Sequence, residues 1–340
     1  SVIHLEESGK RLKRKDGLTE FNKVQKNLLR RHSGSKIAIV GASKDALYEC
    51  QHQFKQSRWN CSVAKEENAR HKTVYGSVLS KGSRETAFIY AINSAMVTHG
   101  VAKACQVGRV SQCSCFDAAG HDKPAGPGWK WSGCSVDERF AVKFSKRFVD
   151  ASEKVSTNDL RRTMNLHNNE AGRLAVTKNM VRECKCHGVS GNCNVKTCWM
   201  SLPKVRTVGD VLMGKFQSAS HVRMGNTAAS TGTLRPRHVQ LQPISNFDSP
   251  PSRQGLVYFD SSSDFCDRDK KKTYLGTVGR TCNGTGTAVS QNDACDHLCC
   301  GRGHTEHTVT VQERCKCVFK WCCEVECQTC TRTQKEHKCI

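Results

Sequence analysis

The sequence predicts a disulfide-rich α+β protein: a helical N-terminal domain with stapled β-hairpins, followed by a small cysteine-rich β-hairpin C-terminal domain. Three observations predict it. Apolar residues recur at helical spacing through the first half of the 340-residue chain. Ten of the 22 cysteines lie between Cys50 and Cys198, and the other twelve crowd between Cys266 and Cys339. Between the two sets, His221–Pro251 is rich in Ser, Thr, Pro and Gly and holds no cysteine. The expected division is therefore a first domain over 1–245, a linker over 246–259 and a second domain over 260–340.

The helical stripes come first. Val40, Leu47, Cys50 and Phe54 suggest one helix, ending near Cys61. Phe88, Ile92, Ala95 or Met96, and His99 trace a second, within the most apolar run, Ala87–Cys105. Val136, Phe140, Phe144 and Phe148 recur every four residues. Leu160, Met164, His167, Ala171, Leu174 and Val181 trace the longest stripe. Such stripes are core rather than binding grooves. Ala118–Gly128, with Gly120, Pro124, Gly126, Pro127 and Gly128, reads as a loop.

The cysteines indicate the compartment. Only 37% of residues are hydrophobic, so something besides burial must hold the chain together. A reducing cytosol would waste such a set, whereas a secreted protein can use every pair, each worth about 2–5 kcal/mol. The last segment is expected to be unfolded when reduced. Zinc is the rival reading, but Cys327-x-x-Cys330 is a lone CxxC, and Cys113-x-Cys115, Cys184-x-Cys186 and Cys315-x-Cys317 are too tight for a zinc knuckle. No metal or cofactor is expected. A secreted chain that starts at Ser1 has had its signal peptide removed or omitted. The sequence offers no apolar run long enough for a transmembrane helix.

The formal net charge is +22. Basic clusters sit at Lys10, Arg11, Lys13, Arg14 and Lys15, at Arg30 and Arg31, and at Lys270, Lys271 and Lys272. A solvated surface explains them at minimum. Nucleic acid fits the first cluster but contradicts the cysteines. Extracellular polyanions such as heparan sulfate fit both charge and compartment.

Two cysteine-framed segments carry the chemistry. In Cys184-Lys-Cys186-His-Gly-Val-Ser-Gly-Asn-Cys193, followed by Cys198 and Trp199, a nested pairing of Cys186 with Cys193 inside Cys184 with Cys198 makes a hairpin pinned twice. Gly188 and Gly191 are expected to turn the backbone with positive φ. That puts Ser190 near the tip, flanked by Val189 and Gly191. The second segment spans 315–330. There Cys315 with Cys330 can enclose Cys317 with Cys327, leaving Val318, Phe319, Trp321, Cys322, Cys323 and Val325 at the tip. By themselves these residues decide nothing. A turn serine is usually only a turn serine, and the Phe/Trp pair reads equally as a mini-core or a contact.

At this point a resemblance enters. Cys184-Lys-Cys186-His187-Gly188-Val189-Ser190-Gly191-Asn192-Cys193 closely resembles the signature of the Wnt family. Similar to the family as well are Glu49–Phe54 with Arg58-Trp59-Asn60-Cys61, Trp131–Cys134, Met164–Arg173, Asp264-Phe265-Cys266, Cys299–Gly303 and Trp321-Cys322-Cys323. The likeness runs over roughly 17–340. It implies a secreted ligand, not an enzyme, carrying a covalent O-palmitoleoyl group on Ser190. Porcupine would attach that group and Wntless would carry the product out. The ligand would grip the cysteine-rich domain of Frizzled with the acylated hairpin, 184–198, and the finger, 315–330. Low-density-lipoprotein-receptor-related co-receptors would join it, and the setting is developmental patterning in the extracellular matrix.

The resemblance also implies a disulfide order. It is Cys50–Cys61, Cys105–Cys113, Cys115–Cys134, Cys184–Cys198 and Cys186–Cys193, then Cys266–Cys300, Cys282–Cys295, Cys299–Cys339, Cys315–Cys330, Cys317–Cys327 and Cys322–Cys323. The last joins neighbours whose Cα atoms are only about 3.8 Å apart. The chain departs from the family at Leu29, where many members have cysteine, at Asn192, where serine is common, and at Glu324, where an aromatic residue is frequent. Two glycosylation sequons exist, at Asn283 and, less favourably, at Asn60 beside a bridged cysteine. Two other classes stand against this reading. One is a cysteine-rich matrix protein without receptor activity. The other is a secreted hydrolase using Ser190 with His187, for which no acidic orienter is legible.

Overall fold

The computed structural model describes residues 21–61, 75–115, 125–126, 128–153, 159–225, 240–245, 250–269, 274–284 and 294–340. Lys10–Lys15, Lys270–Lys272, Gly120, Pro124 and Pro127 lie outside them. In chain order the elements are α1 (Lys23–Arg31), α2 (Ser35–Gln53), α3 (Arg84–Gln106), β1 (Trp129–Trp131), α4 (Glu138–Val149), α5 (Asp159–Thr177), β2 (Val181–Cys186), β3 (Lys196–Ser201), α6 (Val205–Gln217), β4 (Ser220–Gly225), β5 (Gln240–Pro243), β6 (Val257–Tyr258), β7 (Thr281–Cys282), α7 (Cys295–Leu298), β8 (His304–Lys320) and β9 (Glu324–Cys339). They form two compact units: Ser1–Gln53 with Glu66–Ser262, and Phe54–Lys65 with Ser263–Ile340.

The first unit is built around α3, which packs against α2, α4, α5 and α6. A helix surrounded on all sides must be apolar on all sides. Phe88, Ile89, Ile92, Met96 and Val97 are all buried. Its polar residues are satisfied within the fold. Thr98 donates to the Ser94 carbonyl, Asn93 donates to the Ile89 carbonyl and the Tyr75 hydroxyl, and His99 pairs with the Pro203 carbonyl. Burial holds the His99 imidazole below its usual pKa. At Gly100, a Cβ would come within 3.1 Å of the Ala38 carbonyl oxygen and the Ala42 methyl, so α2 and α3 cross closely. This shifts the stripe expected on α2. The buried line is Ile39, Ala42, Ala46 and Cys50, while Val40 and Leu47 are only half-buried. Small residues set that contact, and a reading based on large ones misses it.

Local signals define the other helices. Asn22 and Gln25 form a reciprocal capping box at the start of α1, and the Gln25 side chain then reaches the Phe148 carbonyl. Asp137 caps α4 by accepting from the Phe140 amide. Ala141, Phe144 and Phe148 of α4 are buried, whereas Phe140 lies half-buried against the His32 ring. On α5 the expected stripe holds through Met164 and Ala171, but the helix ends at Thr177. Val181 instead opens β2 and is exposed.

Two three-stranded sheets complete this unit. One has the order β1-β3-β2 and the other β5-β4-β6. In the second, Val222, Leu241 and Val257 cover Met164. β6 falls inside the stretch read as a linker, and Val257 is fully buried there. Its backbone amide donates to the Asn168 side-chain Oδ1, and its carbonyl accepts from the Asn168 side-chain Nδ2.

The second unit carries the sheet β7-β9-β8. Its buried cluster is Cys282, Cys295, Leu298, Cys299 and Cys339, so bonded sulfur replaces aliphatic side chains as the core. The unit also takes in 54–61, which the sequence reading left in the first domain. Arg280 donates to the carbonyls of Lys55 and Arg58, Arg58 donates to the His297 carbonyl, and Trp59 lies against Phe265.

Nine disulfides follow the implied order: Cys105–Cys113, Cys115–Cys134, Cys184–Cys198, Cys186–Cys193, Cys266–Cys300, Cys282–Cys295, Cys299–Cys339, Cys315–Cys330 and Cys317–Cys327. Cys50 and Cys61 are disulfide-bonded too. The vicinal bond is a correction. Cys322 and Cys323 are exposed thiols with their sulfurs 4.0 Å apart. Neighbouring residues span less than an ordinary disulfide needs.

Candidate functional sites on two stapled hairpins

The first hairpin pairs β2 with β3 in register from Val181 opposite Ser201 to Cys186 opposite Lys196. Cys184 lies directly opposite Cys198, where the outer disulfide forms. The inner bond, Cys186–Cys193, closes the loop above it. Cys198 is fully buried and anchors the pair, and β1 lies parallel on its far side. At Gly133 a Cβ would come within 3.3 Å of the Trp199 ring.

The loop is organised by its own backbone. The His187 amide donates to the Val195 carbonyl, Gly188 to Asn192, Gly191 to Gly188 and Asn192 to Val189. The His187 ring pairs with the Thr197 hydroxyl at 2.7 Å. Two details of the expected turn change. Gly188 has an ordinary φ of −71°. Glycine is required there because a Cβ would sit 2.4 Å from the Asn192 carbonyl oxygen. The left-handed residues are Ser190, at φ 56° and ψ 26°, and Gly191, at φ 80°. A non-glycine residue in that region costs roughly 1–2 kcal/mol. The loop therefore holds Ser190 in a conformation that puts it at the exposed tip, beside Val189, which is 91% exposed. His187 is engaged by the Thr197 hydroxyl on β3, a contact that ties the loop to the strand.

The second hairpin pairs β8 with β9 along almost their whole length. A bulge between Cys315 and Val318, with Lys316 at φ 46°, shifts the register just where the two bonds Cys315–Cys330 and Cys317–Cys327 cross the pair. Phe319 stands opposite Val325, and Trp321, Cys322 and Cys323 make the turn, both cysteines left-handed. Trp321 is 94% exposed and Phe319 65%, with Val318 and Val325 exposed beside them. The alternative of a mini-core is therefore not what forms: no layer lies over these side chains among the described residues.

Sequence reasoning missed a polar network within the first unit. Residues 164–173 were recognisable as a motif, but their partners are distant in sequence. Asn165 donates to Glu153, His167 pairs with the Gly255 carbonyl, Asn168 holds β6, and Asn169 donates to Asp150. Arg173 is ion-paired with buried Asp150 at 3.1 Å and with Glu170 at 2.9 Å. Burial raises the Asp150 pKa, against the pull of Arg173. At Gly172 a Cβ would fall 2.0 Å from the Ala91 carbonyl oxygen, so α3 and α5 touch backbone to backbone. A run of Asn in a helix is the signal for such a network, since each must find a partner once buried.

The sulfur atoms of Cys282, Cys299 and Cys339 lie within 4.8 Å of one another, close enough to suggest a metal site. All three are already committed to disulfides, which leaves no thiolate to ligate.

With this geometry in view, similarity to known proteins becomes specific. The Wnt family model matches residues 17–340. The chain belongs to the Wnt family. A Wnt-1 protein of Danio rerio is 44% identical over 326 residues, covering 95% of this chain and 84% of that protein. Wnt-3a of Homo sapiens is 43% identical over 305 residues, with 89% and 82% covered. Among solved structures, the complex of human WLS with WNT8A holds a chain that is 34% identical with a TM-score of 0.57, covering 89% of this Wnt and 93% of that chain. Wnt proteins are secreted signalling ligands, not enzymes. Among the described residues no helix is long and apolar enough to cross a membrane.

Proposed function

We propose that this Wnt is a lipid-modified ligand acylated on Ser190 with a palmitoleoyl group, which binds the cysteine-rich domain of Frizzled receptors together with low-density-lipoprotein-receptor-related co-receptors. The observation that carries this reading is the left-handed, exposed serine at the tip of a doubly pinned hairpin. Each buried methylene contributes about 0.8 kcal/mol, so one long acyl chain offers on the order of 10 kcal/mol gross to a receptor groove. Little of that is lost to ordering when the presenting loop is already rigid. Porcupine is the proposed acyltransferase and Wntless the proposed carrier, in keeping with the likeness to the chain solved with human WLS. The finger supplies the second contact through Val318, Phe319, Trp321 and Val325.

A single acyl chain holds a protein to a membrane only marginally. The net charge of +22 supplies a second attraction, toward heparan sulfate proteoglycans of the extracellular matrix. Of the two sequons, Asn283 is the proposed glycan site, with Asn60 the lesser candidate. The test is receptor binding by the Ser190→Ala protein. Its fold is expected to persist, because bonds and backbone contacts hold the loop, while Frizzled binding and signalling are lost. Full signalling by the alanine protein would refute the assignment.

A further inference from the structure

The finger tip has two unlike faces. Residues directly opposite in an antiparallel pair share a face. Phe319 lies opposite Val325, with the Cys317–Cys327 bond two residues below, so one face is apolar. Val318 lies opposite Glu326, and Lys320 opposite Glu324, so the other face is charged. The Lys320 ammonium is ion-paired diagonally with Glu326. Glu324 is exposed and makes no ion pair among the described residues. Between the inner cysteines the tip thus sets two carboxylates against one cation, in a chain whose net charge is +22. The sign at the tip is opposite to that of the whole molecule.

We infer that Glu324 selects the finger's partner: the apolar face enters a hydrophobic cleft while the Glu324 carboxylate meets an arginine or lysine on the rim of that cleft. The inference rests on the reading of the finger as a receptor contact. Cross-strand Lys320 would be the ordinary partner of Glu324, but its ammonium is taken by Glu326. A solvated rim charge adds little raw affinity; it fixes register, speeds encounter with a cationic rim and penalises an acidic one. The diffuse positive charge acts the other way and favours acidic surfaces at long range. Receptor domains with basic cleft rims are therefore discriminated at close range, by this one residue.

The test uses the full-length secreted protein with Glu324→Gln, Glu324→Lys and Trp321→Ala, titrated against purified Frizzled cysteine-rich domains at low and high salt. At low salt Glu324→Gln weakens binding to the preferred domain about 3-fold and Glu324→Lys about 10-fold, chiefly through the association rate. Both differences shrink when salt shortens the screening length to about 3 Å. Trp321→Ala weakens binding at either salt. If Glu324→Lys binds at least as tightly as the unaltered protein at low salt while Trp321→Ala is weak, the selection by Glu324 is refuted and the finger contact stands. If Trp321→Ala also binds normally, the finger contact fails and this inference with it.

Discussion

The two hairpins use the same device for opposite ends. Each is an antiparallel pair pinned by nested disulfides. In the first, the tip side chains are small, and the specificity lies in the backbone: glycine where a carbonyl crowds position 188, and a serine held left-handed at 190. In the second, the turn leaves large apolar side chains standing in solvent. Their supports differ as well. The first hairpin belongs to the helical unit and is anchored by a buried cysteine, Cys198. The second belongs to a unit whose buried cluster is four cysteines and one leucine. A stapled hairpin can thus present either a site for modification or a ready-made contact, depending on whether its tip spends its sequence on backbone geometry or on side chains.

The largest expected effect separates the supports. Under a mild thiol reductant, the strand signal of β8 and β9 should collapse while the helical signal persists, since each lost bridge costs about 2–5 kcal/mol in a unit whose buried cluster is mostly those bridges. Circular dichroism read alongside non-reducing peptide maps would check it. Simultaneous loss of helix and strand would mean that the helical unit depends on its bonds as much as the finger does.

Next comes the finger itself. Trp321→Ala should cost about 2–4 kcal/mol of Frizzled binding, as for an aromatic anchor, with secretion unchanged because nothing packs on the ring. Poor secretion with normal affinity in what emerges would make Trp321 a structural residue.

The first hairpin should respond to backbone changes instead. Gly188→Ala forces the loop open, because the new methyl would meet the Asn192 carbonyl oxygen at 2.4 Å. Gly191→Ala has open space but a φ of 80°, and should cost roughly 1–2 kcal/mol. Acylation of Ser190, followed by mass spectrometry, should therefore fall sharply in the first variant and only partly in the second. Equal acylation in both would mean the loop's geometry is not what the acyltransferase reads.

The smallest effect concerns pH. His99 is buried and His167 half-buried, and desolvation lowers both pKa values from 6.5. The unfolded chain then binds more protons than the folded one as pH drops below 6.5, so their stabilising effect is present above that pH and is lost as it falls. The helical unit should melt at lower temperature at pH 5.5 than at pH 7.5. A Tm that rises on acidification would contradict the assignment of both histidines as neutral bases in the folded protein.

Much of this was legible from residue spacing. The stripe on α4 follows from periodicity, and the nested bonds of both hairpins are a pairing that the spacing allows and the family likeness implies, whereas the finger's aromatics read equally as a mini-core or a contact until the structure leaves them exposed. What escaped depended on distant partners. The line of small residues on α2 makes sense only against Gly100 on α3, and β6, paired with β4 on one edge, is held at Val257 by the Asn168 side-chain amide. The conformation of Ser190 was equally hidden, since two flanking glycines invited the positive φ onto themselves and only one took it. At the finger, family likeness favoured a bond between Cys322 and Cys323, and the short span between neighbours prevailed.

Peptide mapping of the secreted protein around residues 187–192 tests the central claim most directly. The account predicts a palmitoleoyl ester on Ser190, absent from the Ser190→Ala protein, with the Cys184–Cys198 and Cys186–Cys193 bonds intact in both. An unmodified Ser190 in a protein that signals fully would contradict it.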